Sequence, residues 1–407
     1  MSGSTSGVGT TFGLPNYHGE LIALTPSDTP LLSASGGLSG GKQTDSPAFE
    51  WQTYDLRDAA SRPRLEGADA PTAESRVRGN VENVVQIFQE AVSTSYTKLA
   101  ATGQYATPGS APFYSAGGAP NPVANEHSWQ VMQSLKQIAR DVNWCMWNGV
   151  KVKPTTNGTA RAMGGLLSVI SSNARTKTGS TLTSGASAAT DTITATHDLA
   201  IGDRVVFTDV GASTTIVAGR AYWVKSVSTT VSFKIVPTSD TSATAIAVGT
   251  ATVSFYAINV ANTVSVDDVN SLLQSVFDNG GITEQGTATL FVPSGQKRKL
   301  SAAYATAYGQ ADPMGGTRNV GGVDLNTIVT DFGTLNVAID RALPADAIAV
   351  VSLEQVAPVF LNIPGKGVLF EEELAKTGAS DKSQIYGEIG LEYGNEAAHG
   401  VLRGLFA

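Results

Sequence analysis

The residues of this chain that could do chemistry are few, and the first of them share one glycine-rich stretch. Gly36-Gly-Leu-Ser-Gly-Gly-Lys42 comes close to a phosphate-cradling loop. Such a loop must leave a buried strand and open a helix, so that the helix amides face the phosphates. Here Gln43 stands where a Ser or Thr would hold magnesium, and Asp45-Ser-Pro47 leads into a strand. Ser39, inside Gly37-Leu-Ser-Gly-Gly41, fits a nucleophile elbow, which likewise needs strand, turn and helix, then an acid and a histidine. The four histidines, His18, His127, His197 and His399, stand in unrelated settings. Asp331-Phe-Gly333 shares three letters with a kinase signature, but no catalytic loop precedes it, and it reads as a hairpin turn.

Metal and redox chemistry find no better footing. One cysteine and four scattered histidines give no ligand spacing. Cys145, between Trp144 and Met146-Trp147, reads as a small buried hydrophobe and has no intrachain partner for a disulfide. Asn157-Gly-Thr159 matches a glycosylation acceptor, yet residues 1–13 are uncharged and unlike a secretory leader. The expectation is a protein with no catalytic residue, cofactor or metal: a structural protein, not an enzyme.

Charge is concentrated elsewhere. Residues 57–80 hold Arg57, Arg62, Arg64, Arg76 and Arg78 against Asp58, Glu66, Asp69 and Glu74. The whole chain is only 15% charged, where about 25% is usual. On one side, residues 48–56 alternate, with Phe49, Trp51 and Thr53 on one face; on the other, 81–92 reads as a second strand. The pattern predicts a protruding hairpin with a long charged tip, and loops of this length are often functional. A solvated loop is the competing reading. Opposite charges mixed so closely suit a tip that meets a neighbour, since each arginine can clamp a carboxylate with two parallel hydrogen bonds. Arg62, Arg64, Arg76 or Arg78 is expected to touch an acidic group on another subunit. The run Glu371, Glu372 and Glu373 is one candidate target; alone it reads as a solvated acidic face.

These residues need a framework. Residues 124–148 carry Val131, Met132, Leu135, Ile138, Val142, Cys145 and Met146 at three- and four-residue steps, a long amphipathic helix stopped by Gly149 and Pro154. Residues 178–257 turn to Ser, Thr, Ala and Gly, with short β-branched or aromatic runs that predict a small all-β domain. It is expected to fold independently and project outward. The last third alternates helix and strand: a helix at 266–278 closed by Gly280 and Gly281, then strands at 288–292, 323–330, 334–340, 347–352 and 384–393. The class is α+β with an inserted β domain. The net charge of −8 argues against a nucleic-acid reader, whose phosphate contacts need a basic face. It does not exclude a container whose wall should not adhere to DNA. No apolar run approaches the ~20 residues of a membrane span.

Arm, long hairpin, spine helix, β insertion and α+β domain, in that order, resemble the Hong Kong 97-type major capsid proteins of tailed phages, and within them the SU-ten-like major capsid family. Leu24-Thr-Pro-Ser-Asp-Thr-Pro-Leu-Leu32 resembles the arm motif, and Phe49-Glu-Trp-Gln-Thr-Tyr-Asp-Leu56 the first strand of the extended loop. Val329-Thr-Asp-Phe-Gly-Thr-Leu335 resembles the late hairpin, and residues 384–400 the closing strand and turn. The likeness covers most of the chain except 178–257. It implies an N-terminal arm at 1–47, an extended loop at 48–95 and a peripheral domain at 96–177 with its spine helix at 124–148. The inserted β domain is 178–257, and 258–407 form the axial domain and the return to the peripheral one.

The resemblance further implies self-assembly, through hexamers and pentamers, into an icosahedral head shell around double-stranded DNA. The subunit belongs in the virion, is assembled in the host cytoplasm, and has no membrane partner. No long scaffolding segment precedes the arm, so a separate scaffold protein is expected, together with a portal and room for a decoration protein. The type member of the fold joins subunits by Lys–Asn bonds. The tip here, 57–80, holds no lysine and one asparagine, Asn80, so joining is expected to be non-covalent. The main rival is a cellular nanocompartment shell of the same fold; a β-rich surface adhesin and an enzyme stand behind it.

Overall fold

A computed structural model describes residues 24–57, 59–72, 74–97, 126–156, 158–177, 183–197, 199–228, 231–238, 240–258, 262–282, 288–307, 327–330, 332–375 and 378–406. Much of the expected arm, Asp58, Asn157 and Asp331 lie outside them. Among the described residues no helix is long and apolar enough to cross a membrane.

Pro30 opens a one-turn helix, α1 (Pro30–Ala34), whose Leu31 and Leu32 are buried. After β1 (Lys42–Thr44), strands β2 (Ala48–Tyr54) and β3 (Arg78–Val84) form an antiparallel two-stranded ribbon from Ala48↔Val84 to Tyr54↔Arg78. Phe49, Trp51 and Thr53 are half-buried and Glu50, Gln52 and Tyr54 exposed, the alternation expected of them. The second run is not one strand. It breaks at Val85, whose N–H donates to the carbonyl of Pro47, and β4 (Gln86–Ser95) leaves the ribbon to pair elsewhere. The hairpin therefore ends at Val84.

The long helix α2 (Glu126–Asn148) buries Ile138, Val142, Met146 and Trp147 along one stripe. It stops at Gly149, where a Cβ would lie 2.6 Å from the carbonyl of Cys145 and 2.5 Å from that of Met163. A short helix α3 (Leu166–Val169) and strand β5 (Ala174–Thr176) follow. Next come β6 (Thr183–Ala189), β7 (Thr192–Thr194), β8 (Arg204–Asp209), β9 (Ala221–Ser228), β10 (Ser232–Val236) and β11 (Ala251–Ile258). They close into a barrel in the order β10-β7-β6-β11-β8-β9, which leaves no open edge. Phe207, Phe233, Phe255 and Tyr222 fill it, ring edge against ring face.

The last third begins with α4 (Val266–Asp278). Ser265 and Asp268 make a reciprocal capping box, which satisfies two of the free amides at its start. It is followed by β12 (Ala288–Val292), α5 (Ser294–Ala307), β13 (Thr327–Thr330), β14 (Gly333–Ile339), β15 (Ile348–Ser352), β16 (Ala357–Leu361), β17 (Leu369–Glu373), β18 (Ser380–Glu392) and β19 (Gly400–Arg403).

Two open sheets organise these strands. One runs β13-β14-β12-β15-β19-β5. Every residue of β12 and β15 is buried, the mark of a sheet covered on both faces. Alternate residues serve different cores: Phe291, Ala349 and Val351 face the cluster under α2, while Leu290, Val292, Ile348 and Val350 face the cluster under α4. The sheet is thus the wall between them. The other sheet runs β1-β16-β18-β17, and the long β18 carries β4 along its opposite side from Ser380↔Ser95 to Ile389↔Gln86.

Candidate assembly interface

The ribbon β2–β3 is fixed at its root. Asn83 is buried there; its Nδ2 donates to the carbonyls of Gly164 (3.0 Å) and Leu391 (2.7 Å), and its Oδ1 accepts from the amides of Gly164 and Val84. Trp51 donates from Nε1 to the carbonyl of Gly394 at 2.8 Å and meets Tyr393 edge-on, with centroids 4.8 Å apart. Lys151 (2.8 Å) and Lys153 (2.6 Å) hold the carboxylate of Glu82, and their hydrogen bonds bring its pKa down to about 2. Three independent anchors make the root rigid and aim the tip.

At the tip, three of the expected arginines converge on one carboxylate. Glu74 takes Arg62 at 2.9 Å, Arg76 at 3.1 Å and the Nε of Arg57 at 3.5 Å. The hydrogen bonds from Arg62, then Arg76, hold its carboxyl below the usual range. Mixed charge therefore orders the loop from within, a reason the sequence did not reveal. Arg64 donates to the carbonyl of Asp69 at 2.9 Å and Arg78 to Oε1 of Gln52 at 3.1 Å, both outside the Glu74 cluster. Glu66 and Asp69 keep their carboxylates unpaired among the described residues. Between these charges stand bare apolar side chains: Leu65 is 85% and Val77 81% exposed, with Tyr54 and Leu56 close behind. Reading by charge missed them; an apolar residue inside a charged loop was the available signal.

The acidic run lies on β17, an edge of its sheet. Glu372 is paired with Lys366 at 2.5 Å, which lowers its pKa, and accepts from Gln384. Glu371 and Glu373 point to solvent. Among the described residues no hydrogen bond or ion pair of the same chain joins this run to the tip.

The glycine-rich loop leaves α1 and enters β1, the reverse of a phosphate loop, and Lys42 is paired with Glu392 at 2.7 Å. Cys145 is buried, which pushes its thiol pKa up, and accepts from Gln86. His127 lies between the hydroxyls of Thr94 and Ser383; His399 is buried between the amide of Ser352 and the carbonyl of Tyr393. Gly333, opposite Thr330, begins β14 in the expected hairpin. Among the described residues no group of His, Cys, Asp or Glu could hold a metal.

Two sheets, one of them the wall between two cores, a long helix, and a rooted ribbon that ends in a partly apolar tip are the Hong Kong 97-type capsid fold. The model of the SU10 major capsid protein family matches residues 4–406, and the chain belongs to that family. It is a phage major capsid protein, a structural component of a many-subunit shell in the virion. Among solved structures, the capsid of cyanophage A-1(L) superimposes with a TM-score of 0.53 at 10% identity, over 97% of this chain and 98% of that one. The capsid of cyanophage P-SCSP1u gives 0.51 at 10% identity, over 98% and 95%. At such identity the likeness is one of fold. No curated protein matches the chain.

Proposed function

We propose that the chain closes, through hexamers and pentamers, into an icosahedral head shell around packaged double-stranded DNA. The observation that carries this is the ribbon: rigid at its root, long, and tipped by apolar residues that a monomer leaves in water. Residues 1–47 act as an arm, 48–95 as the extended-loop region, of which the ribbon up to Val84 reaches over a neighbouring subunit, 96–177 as the peripheral domain, and 258–407 as the axial domain with the return. Many modest contacts per subunit sum because the lattice closes. The tip residues Arg57, Asp58, Arg62, Arg64, Glu66, Asp69, Glu74, Arg76 and Arg78 meet carboxylates and bases of the next subunit, with Glu371, Glu372 and Glu373 as the candidate counterpart. A scaffold protein and a portal take part in assembly in the host cytoplasm, a decoration protein can bind outside, and the subunit catalyses nothing. Electron microscopy of the purified protein with its scaffold shows closed shells on this reading. Sedimentation that finds only monomers or dimers, from virions as well as recombinant protein, ends it.

Residues 178–257 are proposed as a grafted module projecting outward. Support comes from its two ends. Nδ2 of Asn262 donates to the carbonyl of Lys177 at 2.9 Å, and Nζ of Lys177 to that of Thr263 at 2.7 Å, so entry and exit stand side by side. The barrel also has its own core. Joining Lys177 to Asn262 by a short Gly/Ser linker is expected to leave shells that assemble, with a lower subunit melting temperature. The loss arises because Val206, Tyr256 and Ile258 cover Phe406. A linker variant that stays soluble and folded but forms no shells would count against the graft.

A further inference from the structure

The barrel meets the rest of the chain across a cleft of about 320 Å³. One wall is barrel: Arg204 at the start of β8, Arg220 just before β9, and Trp223 within it. The facing wall carries Trp144 of α2, Arg341, and Arg403 at the end of β19. Four arginines thus line one small opening in a chain of net charge −8.

Their internal partners are few. Arg341 is paired with Asp28, and Arg403 donates to the carbonyl of Leu167. Arg204 and Arg220 donate to no acceptor among the described residues; their guanidiniums lie 5.9 Å from the Phe406 ring centre and 5.8 Å from that of Tyr222. The carboxyl in reach is that of Asp346, buried and held by the backbone amides of Asp346 and Gly404, without an ion-pair contact to either arginine. Burial pushes the Asp346 carboxyl up and the Arg204 and Arg403 guanidiniums down. Arg204 and Arg403 are half-buried, and Asp346, whose charge acts on both, makes no ion-pair contact with either among the described residues. Gly219 lies against Arg403: a Cβ there would overlap a guanidinium nitrogen of Arg403, and its φ of +75° favours glycine.

We propose that this cleft binds a phosphate oxyanion, with Arg204, Arg220 and Arg403 as its ligands, and that the bound anion fastens the barrel to the body. A carboxylate offers two oxygens in one plane and suits a single guanidinium fork. A phosphate offers oxygens in several directions and suits donors arriving from two facing walls. The phosphate can be free or belong to a nucleotide, in which case Trp144 and Trp223 supply faces for its base.

Calorimetric titration of the assembled full-length protein with inorganic phosphate, adenosine monophosphate and acetate tests this. Saturable binding of phosphate is expected, weakened about 10-fold or more by Arg220→Gln, since a charge-assisted bond is worth a decade or so. Arg220 is exposed, so its loss leaves folding intact; Arg204→Gln should act alike, while Lys136→Gln, outside the cleft, changes nothing. Equal binding of phosphate and the nucleotide identifies the free ion; tighter nucleotide binding that Trp144→Ala abolishes identifies the nucleotide. No saturable binding of either, an unchanged constant in Arg220→Gln, or acetate binding as tightly as phosphate overturns the proposal.

Discussion

Subunits carrying Arg64→Glu with Arg78→Glu are expected to fold normally and to form no shells. The choice of these two follows from the tip geometry. Arg57, Arg62 and Arg76 are engaged on Glu74, so reversing them would disorder the loop and confuse folding with assembly. Arg64 and Arg78 hold only a carbonyl and an amide oxygen, both exposed, and their loss leaves the Glu74 cluster and the root anchors in place. Reversal turns a tip of five basic and four acidic residues into one of three and six. A single exposed pair is worth at most ~1 kcal/mol. A like-charge contact at an interface costs several, and every subunit of a closed lattice carries it. Sedimentation velocity reads assembly and thermal unfolding by circular dichroism reads folding. Shells at wild-type yield from the double variant would show that the tip does not meet carboxylates or that such contacts do not matter.

The parts of the fold that sequence made legible are those where local chemistry and tertiary need agree. Helix α4 falls at the expected 266–278, closed at Gly280, because cap, apolar stripe and stop all belong to one short segment. The barrel strands β8, β9, β10 and β11 likewise match their β-branched and aromatic runs. Strand β6 was not legible: Thr-Ser-Gly-Ala-Ser-Ala-Ala has little strand propensity, and only its neighbours β7 and β11 hold it extended. The break at Val85 hides for the opposite reason. Apolar residues continue through it, and what ends the ribbon is a hydrogen bond to Pro47 and the claim of β18 on β4 from far along the chain. At the tip, the charges announce themselves, but which arginine is held by Glu74 depends on a loop path that no period encodes.

The largest loss of stability is expected at a residue that sequence gave no reason to single out. Asp340 is buried just beyond β14, and its carboxylate accepts three hydrogen bonds: from Nε1 of Trp147 at 2.8 Å, from Nδ2 of Asn143 at 3.2 Å, and from the amide of Ala342 at 2.8 Å. Asn143 in turn accepts from the amide of Leu32 at 3.0 Å, so one acid joins α1, α2 and the turn after β14. Asp340→Ala removes the acceptor and strands the donors in the core. Each buried unsatisfied group costs about 1–3 kcal/mol, so a loss of roughly 3–5 kcal/mol is expected, a large share of the ~5–15 kcal/mol that holds a domain together. Asp340→Asn keeps one acceptor oxygen but turns an amide towards donors, and should cost roughly half as much. Trp147→Phe deletes one donor and keeps most of the ring packed on Phe291, 5.2 Å away; it should be the mildest of the three. Urea unfolding of unassembled subunits measures the order. An Asp340→Ala midpoint equal to that of the wild type would mean that the cluster holds nothing together. The order Ala, Asn, Phe, from worst to mildest, would place the anchoring of α1 on α2 in this carboxylate rather than in the burial of Leu31 and Leu32.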